Sequence, residues 1–445
     1  MLISRIFSGD TRTALIKKNV AGSFLIKGWS CLIQFLLVPI ILKCLNQYEY
    51  GVWLTINSIL VWIDYFDIGL GNGLRNKLAE ALALGDKKRA QKLTSTTFLM
   101  LIIIIVPLVA LFMLVITVTD CYSFFNVSSV LIPNLKGVLY VSVALVGGTF
   151  IFKFISNIYL GLQLPAISNF LLAAGRTLSL IGIAALALIN DHSLLHVAFI
   201  YTLTPLVIYL ISYPITFHYY PHLRPALQLY DHAELHELFS LGVKFFLVQI
   251  GGAILFATSN LLISHLVSPS EVTPYQLSYY YFNIPLIIFT IISTPLWTAT
   301  TDAHTKGEWK WIKDMEHKMH LILAFMLLMI IVMIFISPIV YQLWIDNKVI
   351  IDIRLSIFMG IYVSVLIFSL CYSNILNGMG KIWLLTLLTL IEAIAFLPLA
   401  YLLGHKFGVL GIIEALIIVN LLCATSNYIQ FKKLAKGTAK GVWDR

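Results

Sequence analysis

Charge is what this sequence has least of. Only 11% of its 445 residues are Asp, Glu, Lys or Arg, against roughly a quarter in an ordinary globular domain. A soluble fold of this length cannot cover its surface with so few. With 59% hydrophobic residues and a mean hydropathy of +0.90, cytosolic enzymes, disordered scaffolds and secreted disulfide modules are excluded. Cysteine is also sparse. Cys31, Cys44, Cys121, Cys371 and Cys423 show neither metal-ligand nor disulfide-framework spacing, so no metal is expected. A Cys44–Cys121 bridge outside the membrane is the one pairing left open. No Walker motif occurs, and no small-residue cleavage site follows the first apolar run, which is expected to stay as a span.

What is abundant is apolar sequence in helix-length blocks. A membrane-crossing helix needs about 20 mostly apolar residues. Candidates lie near 20–42, 51–70, 97–119, 137–159, 168–189, 194–217, 241–266, 276–298, 319–344, 355–376, 382–403 and 408–430. The expected fold is therefore an all-α polytopic membrane protein of about twelve spans joined by short connections. The net charge of +9 reads as topology rather than nucleic-acid binding, because the basic residues flank the spans. Twenty-one of the 30 Lys and Arg residues fall on one side of the expected topology and four on the other. By the positive-inside rule, the basic side and both termini are cytoplasmic.

The halves resemble each other. Gly22, followed by Lys27 and Gln34, matches Gly242, followed by Lys244 and Gln249, at a shift of 220 residues. Gly85-Asp86-Lys87-Lys88 matches Gly307-Glu308-Trp309-Lys310 at a shift of 222, each opening after a long second span. Two agreeing offsets favour a six-plus-six parallel repeat with boundaries at 1–218 and 219–445.

Ionisable residues inside spans are costly and mark interior cavities or snorkelling side chains. Lys244 is shallow and reads as snorkelling. Lys27, Arg176 and Lys153 share a depth on the cytoplasmic side of the midplane, a pattern suited to capturing a phosphate-bearing group. The bland reading pairs them with Asp64 or Asp67, or lets them snorkel; for Lys153 the two readings balance. The buried acids lie in the other half. Glu392 sits near the midplane and Glu414 nearer the outer face, candidates for H+ or Na+ coupling against the simpler reading of neutral packing acids. Other patterns fail on context. Gly69, Gly71 and Gly73 follow no strand, His232 and His236 are not a His-Glu-x-x-His pair, and Tyr279–Tyr281 read first as packing.

One stretch is more specific than composition: Glu49-Tyr50-Gly51-Val52-Trp53, then Tyr65-Phe66-Asp67-Ile68-Gly69-Leu70-Gly71-Asn72-Gly73-Leu74-Arg75-Asn76-Lys77-Leu78. With Asn377-Gly378-Met379-Gly380-Lys381, it resembles the Wzx-type oligosaccharide flippases of the multidrug/oligosaccharidyl-lipid/polysaccharide exporter superfamily. The resemblance implies a MATE-like fold of two six-helix lobes in the bacterial inner membrane. It also implies alternating-access movement of undecaprenyl-pyrophosphate-linked oligosaccharides from the cytoplasmic to the periplasmic leaflet, for O-antigen or other polysaccharide synthesis. Lys27, Lys153 and Arg176 then line a cationic lumen, with Asp64, Asp67 and Arg75 at its cytoplasmic mouth. No cofactor, a monomer, contact with membrane lipids and association with polysaccharide polymerase machinery complete the expectation. The alternatives are a proton- or sodium-coupled multidrug exporter on the same fold and, remotely, a membrane polymerase or glycosyltransferase. The first would want acids where this first half has cations; the second would want a longer outer loop than 120–136.

Overall fold

The computed structural model describes residues 11–65, 69–381 and 383–444, without the side chains at 11–24, 27, 64–65, 240–253, 256–257, 294–295, 297–298 and 302. Among the described residues there are helices and turns and no strand. The first six spans comprise α1 (Thr11–Cys44), α2 (Gln47–Leu60) with a 3-10 turn at Val61–Tyr65, α4 (Lys87–Val118), α6 (Leu135–Phe152) continued by α7 (Phe154–Gly161), α8 (Pro165–Leu188) and α9 (Leu194–Tyr219). Two further helices lie between spans, α3 (Leu70–Ala83) and α5 (Cys121–Phe125). The second six are α10 (His232–Leu266), α11 (Pro269–Thr305), α12 (Trp309–Ile345), α13 (Ile353–Gly378), α14 (Trp383–Phe407) and α15 (Val409–Ala435). Among the described residues, eight of these segments are long and apolar enough to cross a membrane. With α1, α2, α10 and α11 they account for the twelve expected spans. The chain is an all-α polytopic membrane protein.

Short polar connectors start these helices. Asn46 and Glu49 form a reciprocal capping box at α2, and Asp86, Ser193 and Asp352 accept from the first-turn amides of α4, α9 and α13. Lipid offers the backbone no partners, so helical hydrogen bonding in the spans is obligatory. The cysteines are free. The Cys44 thiol donates to the Ile183 carbonyl at 3.8 Å and that of Cys121 to the Ile116 carbonyl at 3.6 Å, so each is held in its own helix packing.

The chain divides into two compact units between Gln249 and Ile250. Corresponding turns in the two units have the same geometry. Gly85 and Gly307 adopt φ of 75° and 73°, and the next amide reaches back to Ala81 or Ala303, 2.9 Å in both cases. Gln163 and Gly380 repeat the motif before α8 and α14, with Leu164 bonded to Tyr159 and Lys381 to Leu376. This left-handed cap satisfies otherwise orphaned helix carbonyls. Packing follows the same succession: α8 on α9, α9 on α6 and α6 on α4 in unit 1; α14 on α15, α15 on α13 and α13 on α12 in unit 2.

At the basic end of unit 1, ion pairs fasten the segment after α9 to the α3–α4 hairpin. Arg89 reaches Glu234 at 3.0 Å, Glu237 at 2.8 Å and Glu80 at 3.3 Å, and Lys77 reaches Glu237 at 2.9 Å. Lys92 pairs with Asp231 at 2.9 Å, and Thr94 and Ser95 bond the backbone at Leu223 and Ala226. Lys92 holds the Asp231 carboxyl below its ordinary value, and Lys77 does the same for Glu80.

Candidate functional site

In unit 1 the site is built on α8. Small residues let α9 approach closely there: a Cβ on Gly175 would lie 3.1 Å from Pro205 Cα. The next residue, Arg176, is turned about 100° round the helix. It is half-buried and within electrostatic reach of Cys31 on α1, and neighbouring Thr177 accepts a 3.2 Å hydrogen bond from the Trp29 indole. Eleven residues beyond Pro165, Arg176 lies roughly 17 Å along the helix. It makes no hydrogen bond or ion pair with any described residue. A guanidinium in such a place offers a planar pair of donors to an anion.

The other predicted cations divide. Lys27 is on α1, one helical turn before Cys31, hence on the helix face that meets Arg176; its side chain lies outside the described residues. Lys153 lies at the α6–α7 break. Its neighbours Phe152 and Phe154 pack with Phe98 at centroid distances of 6.1 and 4.8 Å and with Tyr213 at 5.8 and 6.4 Å. Tyr213 is also within reach of Arg224 in the basic-end connection. Lys153 therefore stands between two rings of a packed aromatic cluster. Arg75 is exposed on α3. The Asp64 side chain and all of Asp67 lie outside the described residues.

In unit 2 the corresponding helix is α14. Glu392 is 12 residues beyond the left-handed Gly380, just as Gly175 is 12 beyond Gln163. Only 5% of Glu392 is exposed. Its carboxyl meets the Cys423 thiol on α15, and Asn427 donates to Cys423 at 3.7 Å and to Ser369 at 3.4 Å. Tyr362 of α13 is buried within electrostatic reach of Glu392, Tyr275 and Tyr279. Glu392 Oε1, the Tyr362 hydroxyl and Asn427 Oδ1 have no hydrogen-bond partner among the described residues. Three unspent oxygen groups in a dry interior suit a proton or a small hard cation. Among the described residues no three His, Cys, Asp or Glu cluster as a metal site. Glu414 is half-buried on α15 and bonds to no described residue.

Sequence reasoning found Glu392 and missed Tyr362, Ser369, Cys423 and Asn427. Neutral residues in apolar spans carry no charge signal; the i, i+4 spacing of Cys423 and Asn427 was the available cue.

Comparison with known proteins bears on the family and the fold. Residues 16–297 match the family described as "Polysaccharide biosynthesis protein". A "Putative O-antigen transporter" of Salmonella typhi is 21% identical over 424 residues, 89% of this chain and 91% of the relative. Among solved structures, the fold matches an inward-facing multidrug resistance MATE family transporter of the MOP superfamily, with a TM-score of 0.77 and 14% identity over 92% of this chain and 95% of that one. The Vibrio cholerae MATE transporter VcmN in its bent form matches with a TM-score of 0.59 and 12% identity, over 95% and 98% of the two chains. These matches bear out the Wzx-type resemblance read from the sequence, and point to a transporter rather than an enzyme. The chain belongs to the polysaccharide biosynthesis protein family and is a multi-pass bacterial inner-membrane transporter of the MATE fold.

Proposed function

We propose that this transporter is a flippase that moves undecaprenyl-pyrophosphate-linked oligosaccharide repeat units from the cytoplasmic to the periplasmic leaflet. The observation that carries this reading is Arg176: a deep, half-buried guanidinium with no counter-ion among the described residues, in a member of a polysaccharide biosynthesis family. A diphosphate supplies the missing anion, and the planar fork of Arg176 can hold two of its oxygens at once. Lys27, on the same face of α1, adds a mobile second charge. Lys153, in the aromatic cluster, meets the headgroup before it reaches Arg176. The sugars stay with the polar groups of the protein while the polyprenyl tail stays in lipid.

In this reading Glu392 takes up the driving ion. Its free oxygen and those of Tyr362 and Asn427 form the receiving set, and Glu414 is a secondary candidate. Movement then follows a population shift between states biased by cargo and ion.

The test is translocation of a fluorescent polyprenyl-pyrophosphate-linked oligosaccharide in proteoliposomes, read by exposure to an impermeant glycosidase. Protein-dependent exposure that is lost in Arg176→Ala supports the proposal. Normal translocation by Arg176→Ala and Lys27→Ala would sink the capture site. No translocation of any glycan, with gradient-driven efflux of a cationic dye, would transfer the chain to the drug-exporter reading.

A further inference from the structure

A second polar cluster lies in unit 2, at the basic end of α12, α13 and α15, and plays no part in the proposed transport site. Its centre is Glu316, an acid only 3% exposed. Lys432 donates to Glu316 Oε1 at 2.8 Å from α15 while its ammonium lies over the Tyr428 and Phe431 rings. The Tyr372 hydroxyl of α13 is 3.4 Å from the same oxygen. On its other side that hydroxyl is 2.5 Å from His320 Nε2, one helical turn beyond Glu316 on α12. Tyr372 is fully buried among Phe368, Tyr428 and Phe431, whereas the His320 side chain is 39% exposed. The chain of groups therefore runs from solvent to a buried carboxylate.

A phenol has one proton to give. When His320 is neutral and accepts at Nε2, the Tyr372 proton points to the imidazole, and Glu316 is left with Lys432 alone. When His320 carries a proton on Nε2, it donates to the Tyr372 oxygen, and the hydroxyl proton turns to Glu316. We propose that His320, Tyr372 and Glu316 form a proton-binding site, with His320 as the acceptor and the Tyr372 hydroxyl as the relay. Binding one proton at His320 adds a charge-assisted hydrogen bond at Glu316 and ties the ends of three helices together. The groups facing His320 are Glu316 and His317 on its own helix and Tyr372 on α13; on α15, Lys432 faces Glu316 and Tyr428 faces Tyr372. Cys371 on α13 faces Glu316. The remaining neighbour of α12, α11, directs His304 to Trp309 rather than to this cluster. The inference holds whatever the cargo.

The test uses the full chain in lipid nanodiscs with 15N-labelled histidine, from about pH 8.5 to pH 5, the range in which histidines change charge. The His320 resonances are identified as those absent in His320→Gln and displaced in Tyr372→Phe, a change that keeps the ring. The expected result is Nε2 passing from acceptor to N–H on acidification. The difference in thermal unfolding midpoint between wild type and His320→Gln should widen in the same range and shrink in the Tyr372→Phe background. A protonated Nε2 throughout the range, which is the signature of a fixed neutral tautomer, overturns the proposal. So does a difference in midpoint that does not vary with pH.

Discussion

At the scale of the residue, the transport proposal rests on chemistry that single substitutions separate. Each charge-assisted hydrogen bond that Arg176 makes to a diphosphate is worth about 1.5–3 kcal/mol, so Arg176→Ala should slow translocation roughly 10- to 150-fold. Arg176→Lys keeps the charge and loses the fork, and should fall between the two in the glycosidase assay. Glu392→Gln keeps the shape and the Cys423 contact but cannot cycle between charged and neutral forms. It should abolish stimulation by an imposed H+ or Na+ gradient while leaving gradient-free exchange measurable. Undiminished stimulation would remove Glu392 from the coupling step. Charged residues in spans stand out in a sequence because each is expensive there, which is why Arg176 and Glu392 were legible. Tyr362 and Asn427 were not, since their value lies in the bonds they fail to make, and only three-dimensional neighbours reveal that.

At the scale of the element, close backbone approach sets the geometry. A Cβ on Gly411 would sit 2.1 Å from the Leu403 carbonyl oxygen, at the turn where α14 hands over to α15. Gly411→Ala must push these helices apart, and overpacking of this kind typically costs about 1–3 kcal/mol. A lowered thermal midpoint is expected, with Gly28→Ala, where nothing lies within 4 Å, as the unaffected control. An equal midpoint in the two variants would refute the argument. Helix existence and span number followed from apolar run length alone. What run length could not reveal was the interruption of two spans, at Val61–Tyr65 and at Lys153, because neither segment carries the Gly or Pro that usually marks a break.

At the scale of the whole molecule, the paired carboxylates at the basic end of unit 1 hold the segment after α9 against α3 and α4. Asp231 and Glu80 are held below their ordinary values, so their pairing contributes fully above the ordinary carboxylate range. It is lost as pH falls through the lowered values. Protection of residues 224–231 against hydrogen exchange, taken relative to the intrinsic rate at each pH, should therefore be unchanged from pH 8 to about pH 5 and fall only below about pH 4. Arg89→Ala, which removes one partner from each of three acids, should lower that protection at neutral pH. The duplicated scaffold carries a longer-range consequence. Glu392 meets Cys423 where the first unit sets Gly175 hard against Pro205. A carboxylate at 175 would have no room between its helices, so the acid cannot be copied into the first half, nor its loss in the second half compensated there. Under the proposed function the two halves are therefore not interchangeable: a substitution at 175 cannot supply the acid that Glu392 provides.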